Sequence, residues 1–359
     1  LILKAGSGGQ KDACWIIGQK IRNPQDPGSK SIISALCEQG LNPDLQLAAG
    51  YIVDASIAGH ALACRVVCDK IRHQEYEDSH YIDSALRERG IEPNLQFAAK
   101  LEVEAMLGND PAACYYIWSK LEDRKFLENV DTVNALKERG LHPGPELRGF
   151  IIVKGAILDE DCSCAKVADA ILEKDKQKNE HIIAALKSKG FNVNNELAAH
   201  FRVRAGIGGQ NKSCAMISYA IRNNECSERE FILDALRENG FEPDPKLAAQ
   251  FTIVSALNNY ANTANICQIA IASPDSSKSQ DIIAAFKESG IEITNELRMT
   301  FLEIAARSPE NYKKMEQFLG NQTLLEHLNK PRLDKSEQRL CCKKAIGTLL
   351  GMSTTLSKP

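Results

Sequence analysis

The sequence predicts an all-α fold: an α-solenoid of about seven stacked 50-residue repeats, three helices each, with a divergent C-terminal helical cap. Two recurrent residues and one spacing pattern predict it. A glycine returns every 50 residues without loss of register, an alanine stands five positions before it, and apolar residues at helical spacing fill the intervals. These glycines are Gly40, Gly90, Gly140, Gly190, Gly240 and Gly290. A unit this small cannot bury its apolar surface alone, so neighbouring copies must stack.

The glycine is expected to end the last helix of each repeat. In the second copy, Ala85 and Leu86 mark the last buried turns of that helix, and the apolar Ile91 follows Gly90. Glycine adopts a positive φ without the steric cost of a Cβ atom, and an apolar residue after it commonly accompanies a left-handed C-cap. The spacing therefore predicts a helix C-cap at each of the six glycines.

A proline-bearing turn is expected to lead into the next helix. Proline blocks helix continuation three positions after most of the glycines, as at Pro93. Val193 and Ile293 depart from this pattern. At these two turns we expect Asn194 and Asn295 to act as helix N-caps.

Each repeat is predicted to contain three helices. The first, for example 45–57, is apolar on nearly every face, which predicts a helix buried on all sides. The second carries one apolar stripe, as in Cys64, Val67, Cys68 and Ile71. The third, about 78–89, leaves its opposite face to charged residues. One buried and two amphipathic helices should therefore recur along the chain.

Composition limits the classes of function. The chain is 43% hydrophobic and 25% charged, with a formal charge of −3, which is typical of a globular protein without a polyanion-binding surface. No apolar run approaches the roughly 20 residues of a membrane-spanning helix, and the start lacks a signal-peptide pattern. We therefore expect a cytoplasmic location, or the host cytoplasm if the chain is a bacterial effector.

One position of the repeat is cysteine in each of the first five copies: Cys14, Cys64, Cys114, Cys164 and Cys214. The sixth copy has Ala264 there, so this position accepts a small apolar side chain. We therefore expect buried, reduced thiols rather than disulfides.

The pattern of glycine caps and three-helix units resembles the armadillo and HEAT class of α-solenoids. The resemblance is architectural, covers about residues 1–305 and includes no consensus signature of either family. It implies stacked helices and no particular function.

The two ends depart from the period. Residues 1–5 align with the middle of the first helix, 51–55, so the first repeat is truncated and we expect the natural chain to continue upstream. Residues 306–352 are predicted to form a helical cap, and 353–359 a flexible tail.

No catalytic, cofactor-binding or metal-binding residues are predicted. Of the seven histidines, only His181 falls in an apolar position shared with Tyr81 and Phe231, which indicates packing. No cysteine pair is followed by a second pair at zinc-ligand spacing. The glycine cluster at 206–209 lacks the Gly-Lys-Ser/Thr of a phosphate loop.

Residues 335–351 leave two alternatives open. Cys341 and Cys342 stand beside two lysines in an amphipathic segment, which suits acylation and peripheral membrane contact. The other interpretation is a terminal helix docked on the last repeat.

A cation follows the buried leucine or phenylalanine near the end of the third helix in five repeats. This cation ladder consists of Arg87, Lys137, Lys187, Arg237 and Lys287. An acid follows each cation except Lys187. Cations in a last helical turn complement the helix dipole, worth about 0.3–1 kcal/mol each. The alternative is an evenly spaced binding stripe for an acidic partner.

Three functions remain open. The first is a non-enzymatic scaffold that binds a protein or peptide along an extended surface. The second, RNA binding, is disfavoured because Lys20, Lys70 and Lys120 become alanine in the next three copies. The third is the targeting part of a larger enzyme, or of a secreted bacterial effector, whose catalytic domain would lie upstream.

Overall fold

The computed structural model describes residues 2–76, 78–122, 129–173, 176–319 and 331–356, and within these ranges all regular structure is helical. Parts of the predicted cap and tail, 320–330 and 357–359, lie outside them. The chain forms two compact units, Leu1–Leu158 and Asp159–Pro359.

The N-terminal unit contains ten helices among its described residues. They are α1 (Ile2–Ser7), α2 (Lys11–Arg22), α3 (Ser29–Glu38), α4 (Leu45–Ile57), α5 (Ala61–Arg72), α6 (Ser79–Glu88), α7 (Leu95–Leu107), α8 (Pro111–Glu122), α9 (Asn129–Glu138) and α10 (Pro145–Ile157).

The C-terminal unit continues the same order. Its described helices are α11 (Asp161–Leu172), α12 (Glu180–Ser188), α13 (Asn195–Ile207), α14 (Asn211–Arg222), α15 (Arg229–Glu238), α16 (Pro245–Leu257), α17 (Ala261–Ala272), α18 (Ser277–Glu288), α19 (Asn295–Ala306), α20 (Pro309–Leu319) and α21 (Lys335–Leu356), with a 3₁₀ turn at Gln177–Asn179.

The predicted all-α repeat fold is confirmed. Helices recur in sets of three, and the second helix of one repeat packs on the first helix of the next, as α5 packs on α7 and α14 on α16. This pairing across the repeat boundary is how a unit too small for its own core buries its apolar stripe. By position, α20 takes the place of a second helix in a seventh copy.

Glycine ends the third helices as predicted. Gly90 has φ of 72°, its N–H donates to the Arg87 carbonyl at 2.9 Å, and the Ile91 N–H reaches back to the Leu86 carbonyl at 3.0 Å. This is the Schellman arrangement, which satisfies carbonyls that the end of a helix leaves free. The bond from the residue after the glycine also forms at Phe191 and Ile291, the two copies that lack proline.

Side-chain caps begin most of the first helices. Asn194 Oδ1 accepts from the Leu197 N–H at 2.9 Å, so the predicted N-cap is confirmed. The prediction for Asn295 is wrong, because Thr294 Oγ1 accepts from the Leu297 N–H at 3.2 Å and Asn295 is already helical. A hydroxyl on an extended residue can reach the free N–H groups of the first turn, whereas a residue inside that turn cannot.

The cysteine position is buried as expected. Cys14, Cys64, Cys114, Cys164 and Cys214 are inaccessible to solvent, as is Ala264, and the five cysteines are thiols and not disulfides. Cys214 donates to the Gly206 carbonyl at 3.1 Å. Because burial disfavours the thiolate, the pKa of Cys64 is raised to about 12.

The expectation that the first helices are buried on all sides is wrong for most copies. Leu45 and Ile57 of α4 are exposed at its two ends, and the α7 and α10 equivalents of Ile57 are exposed too. In α16, by contrast, Leu247–Leu257 is buried throughout. Apolar periodicity identifies a helix but does not decide which neighbours will cover it.

What covers α16 is the C-terminal helix α21, which packs on α16 and touches α13. Cys342, Ala345 and Leu349 of α21 are buried. The interpretation of residues 335–351 as a docked terminal helix therefore describes this structure, since the apolar stripe faces protein. Helix α21 runs to Leu356, within the segment predicted as a tail.

Candidate functional site

The cation ladder lies in the last turns of the third helices. All five side chains are exposed, and each occupies the turn where a positive charge complements the helix dipole. Arg87 and Lys137 belong to the N-terminal unit, and Lys187, Arg237 and Lys287 to the C-terminal unit. Their use as a binding surface stays a prediction.

The acids beside the ladder are engaged with the first helices. Four contacts join equivalent acids to two positions of the first helix, one turn apart: Gln46 Nε2 to Glu88 at 3.0 Å, Lys246 Nζ to Glu288 at 3.0 Å, Lys100 Nζ to Glu138 at 2.9 Å, and His200 Nε2 to Glu238 at 3.3 Å. Each acid is thus drawn toward the preceding first helix. The four acids are exposed as well, so an acid differs from the cation beside it in its partners.

The cations themselves have few partners in the described part of the chain. Arg87 lies 3.8 Å from Glu92, and Arg237 lies 2.8 Å from Asp234. Within the described ranges, Lys137, Lys187 and Lys287 make no ion pair. Exposed pairs of this kind are weak, at about 0–1 kcal/mol, so the ladder is available to a partner.

Buried charges inside the repeats were not predicted. Glu102 of α7 accepts from Arg72 at 2.6 Å and from Lys120 at 2.9 Å. Arg202 of α13 donates to Asp169 at 2.9 Å. Glu102 and Arg202 occupy the same repeat position, where other copies have isoleucine, threonine or leucine. A lone charge in an otherwise mainly apolar position is the signal that could have identified them.

Two of the lysines that share one repeat position, Lys70 and Lys120, form ion pairs within the protein. Lys70 pairs with Asp78, and Lys120 pairs with Glu102 inside the N-terminal unit. Their charge is therefore used within the protein, and they do not form a free basic row for a nucleic-acid backbone.

Two histidines have local roles that their spacing did not predict. His60 caps α5, accepting from the Ala63 N–H at 3.3 Å, and stacks on Trp15 with ring centroids 5.1 Å apart. Burial chiefly lowers its pKa, against the charge of Asp12. His200 Nε2 lies 3.3 Å from Glu238 Oε2. Among the residues that the structure describes, neither histidine lies beside a nucleophile as a catalytic base would.

Within the described ranges, no group of three or more His, Cys, Asp or Glu side chains is placed to hold a metal ion. None of the described helices is by itself long and apolar enough to cross a membrane. Helices α4 and α5 reach that length and hydropathy only together, and the chain bends by 116° between them.

Each unit has a groove beside the C-terminal ends of its first helices. The N-terminal groove, of about 440 Å³, includes Ile57, Gly59, Lys100, Val103 and Glu104. The C-terminal groove, of about 650 Å³, includes the equivalents 200 residues later: Leu257, Asn259, Thr300, Glu303 and Ile304. The two grooves therefore share these five repeat positions, and helix α21 forms one wall of the C-terminal groove through Gln338 and Cys342.

Comparison with known proteins leaves the family open. No family model matches the chain, and no curated protein matches it. A Sel1 repeat protein from Oxalobacter formigenes is 12% identical with a TM-score of 0.25, over 88% of this chain and 89% of that one. A protective antigen of uropathogenic Escherichia coli with an SLR fold is 11% identical with a TM-score of 0.27, over 100% and 89%. At these scores neither likeness bears on function.

Proposed function

We propose that this chain is a non-catalytic protein-interaction scaffold and that the cation ladder contributes to binding an acidic protein or peptide. The observation that carries the proposal is the difference in partners between the acids and the cations at the ends of the third helices. The acids Glu88, Glu138, Glu238 and Glu288 contact the first helices, while the cation beside each is exposed. A repeat that engages its acids with a first helix leaves the cation beside each acid to a partner, at intervals of 50 residues in the sequence.

The strength of such a surface depends on the number of contacts. One exposed ion pair contributes about 0–1 kcal/mol, so a single ladder residue would bind almost nothing. Several pairs acting together add both affinity and speed of association, and salt screens both within a Debye length of about 10 Å at 0.1 M. Binding through the ladder should therefore be multivalent and strongly salt-dependent.

The chain would act in the cytoplasm, or in a host cytoplasm as part of a secreted effector. A role as the targeting part of a larger enzyme would use the same surface. The armadillo- or HEAT-like build remains an architectural likeness, and the proposal takes nothing from the function of those families.

The test uses a fluorescent poly-glutamate peptide as the acidic probe, titrated with the full chain at several salt concentrations. One variant reverses all five ladder residues to glutamate. The control variant reverses five other cations outside the ladder to glutamate: Lys11, Lys30, Lys176, Lys178 and Lys343, all of them exposed. Both variants have the same net charge, so they differ only in where the charge was changed.

We expect the ladder variant to bind at least about tenfold more weakly than the control variant at low salt. Equal loss in both variants would show that net charge alone attracts the probe, and the ladder would keep only its dipole role. A parallel titration with mixed RNA separates the nucleic-acid alternative. Tighter binding of RNA than of the acidic peptide, with a steep salt dependence, would contradict the proposal.

A further inference from the structure

The equivalent grooves of the two units differ in what covers them. At the last residue of the first helix, Ile57, Leu107 and Ile157 of the N-terminal unit are 51%, 43% and 40% exposed. In the C-terminal unit, Leu257 is only 2% exposed, and Ile207 packs on the buried core. All five side chains are large and aliphatic. The difference lies in the covering element and not in the residue type.

The covering element in the C-terminal unit is helix α21. Gln338 Nε2 donates to the Leu257 carbonyl at 2.7 Å, and Cys342 Sγ to Asn258 Oδ1 at 3.2 Å. These bonds satisfy groups at the free end of α16. Ala345 and Leu349 are fully buried in the same hydrophobic core.

The four α21 residues that make this contact form one stripe. Gln338, Cys342, Ala345 and Leu349 are spaced by four, three and four positions, which places them on one face of a helix. Of this stripe, Gln338 and Cys342 line the C-terminal groove, and Ala345 and Leu349 are buried in the core. Small side chains let the helix backbone approach α16 closely, as in other close helix pairs.

We propose that the N-terminal groove docks an amphipathic α-helix from a partner protein, with a stripe of the same chemistry as that of α21. This proposal deepens the scaffold function and rests on it. The chain itself supplies the precedent, because an equivalent surface of the same repeat already holds a helix. Helix-in-groove recognition has this form generally: apolar anchors at helical spacing enter an apolar trough.

Charges at the edge of the N-terminal groove define its polar border. Lys100 pairs with Glu138 across the groove at 2.9 Å, and Arg139 pairs with Glu104. The C-terminal unit has Thr300 and Ile304 where Lys100 and Glu104 stand. The partner helix should therefore carry charged residues beside its apolar stripe, since rim charges fix register and orientation.

The probe is a fluorescent peptide of residues 335–351 in which both cysteines are replaced by alanine. It is titrated into the full chain, whose own α21 forms one wall of the C-terminal groove. The variant is Ile57→Lys. Its matched control is Ile269→Lys, because Ile269 is equally exposed, at 50%, also lies near the end of its helix and does not line the groove. A second peptide that also carries Ala345→Lys and Leu349→Lys lacks the stripe.

We expect the first peptide to bind saturably to the full chain and to Ile269→Lys, and at least about tenfold more weakly to Ile57→Lys. The second peptide should bind the full chain at least about tenfold more weakly than the first. Circular dichroism should show both variants fully folded, since both sites are half exposed. Equal binding to the two variants, or none up to about 1 mM peptide, would overturn the proposal. So would a dimer of the free chain that Ile57→Lys abolishes, because the occupant would then be a second copy. None of these results touches the ladder, so the poly-glutamate test judges the scaffold function separately.

Discussion

Replacing Asp169 by asparagine tests how the protein holds an arginine inside a helical repeat. The Arg202 side chain is only 1% exposed, and its Nη1 donates to Asp169 Oδ1 at 2.9 Å. Glu228 lies further away, at 4.0 Å, and Lys212 shares Asp169 at 2.7 Å. Asparagine keeps the size of the side chain and removes its charge.

Removing one partner of a buried ion pair costs about 3–5 kcal/mol, because the other charge stays buried. Asp169 is 30% exposed and Glu228 remains near Arg202, so we expect the loss to be smaller. Our expectation for Asp169→Asn is about 2–3 kcal/mol in the free energy of unfolding.

The effect should depend on pH in a defined direction. Burial alone would raise the pKa of Asp169, but the hydrogen bond from Lys212 and the charge of Arg202 lower it below its ordinary value. A lowered carboxyl pKa stabilises the folded state above the unfolded pKa of about 4, and this stabilisation is lost as the pH falls through the folded pKa. The difference between the wild type and Asp169→Asn should therefore shrink at low pH.

The assay is urea unfolding followed by circular dichroism, as a double-mutant cycle with Arg202→Leu. Leucine occupies this repeat position at Leu302, so it should fit at a cost of about 1 kcal/mol or less while Asp169 keeps Lys212. In the Arg202→Leu background, Asp169→Asn should then be nearly neutral. If Asp169→Asn costs the same in both backgrounds, the carboxylate does not hold the arginine and the reasoning is refuted.

Three further outcomes follow from local features. Gly190→Ala should lower the free energy of unfolding by about 1–2 kcal/mol because Gly190 has φ of 82°. Gly347→Ala should raise it by up to about 1 kcal/mol, because Gly347 lies inside α21 with open space around it. Thermal unfolding of the two variants compares these effects. Cys37, which is exposed, should react with a thiol reagent at pH 8 long before the buried Cys64, as mass spectrometry of labelled peptides would show; equal rates would contradict the burial. Burial, and to a lesser extent the neighbouring acids, raise the pKa of Asp161 to about 6, so its contribution to stability is lost as the pH rises from about 4 to 6. Asp161→Asn should therefore raise the free energy of unfolding at pH 7 by on the order of 1 kcal/mol after solvent screening. A pH profile of stability that is the same in the wild type and the variant would refute this.

Local sequence features were enough to predict the period, the helix class and most of the helix ends. These features depend on the local chain: a glycine with positive φ, an apolar residue after it and a stripe at helical spacing act over a few residues. The same local reasoning gave the exposure of the cation ladder, because each cation lies next to a buried leucine or phenylalanine on the helix surface. It was wrong at Asn295, where two polar neighbours compete to cap one turn and Thr294 takes the role.

The faces of the first helices that are covered depend on long-range packing. Ile57 and Leu257 occupy the same repeat position, yet one is exposed and the other is buried under α21. The contacts of Arg202 and those of the acids beside the ladder were likewise decided by stacking. Such contacts join residues some 30 to 80 positions apart, as Gln338 joins α16, and no local rule fixes them. Helix ends follow from the backbone of a few residues, whereas coverage follows from which helices become neighbours.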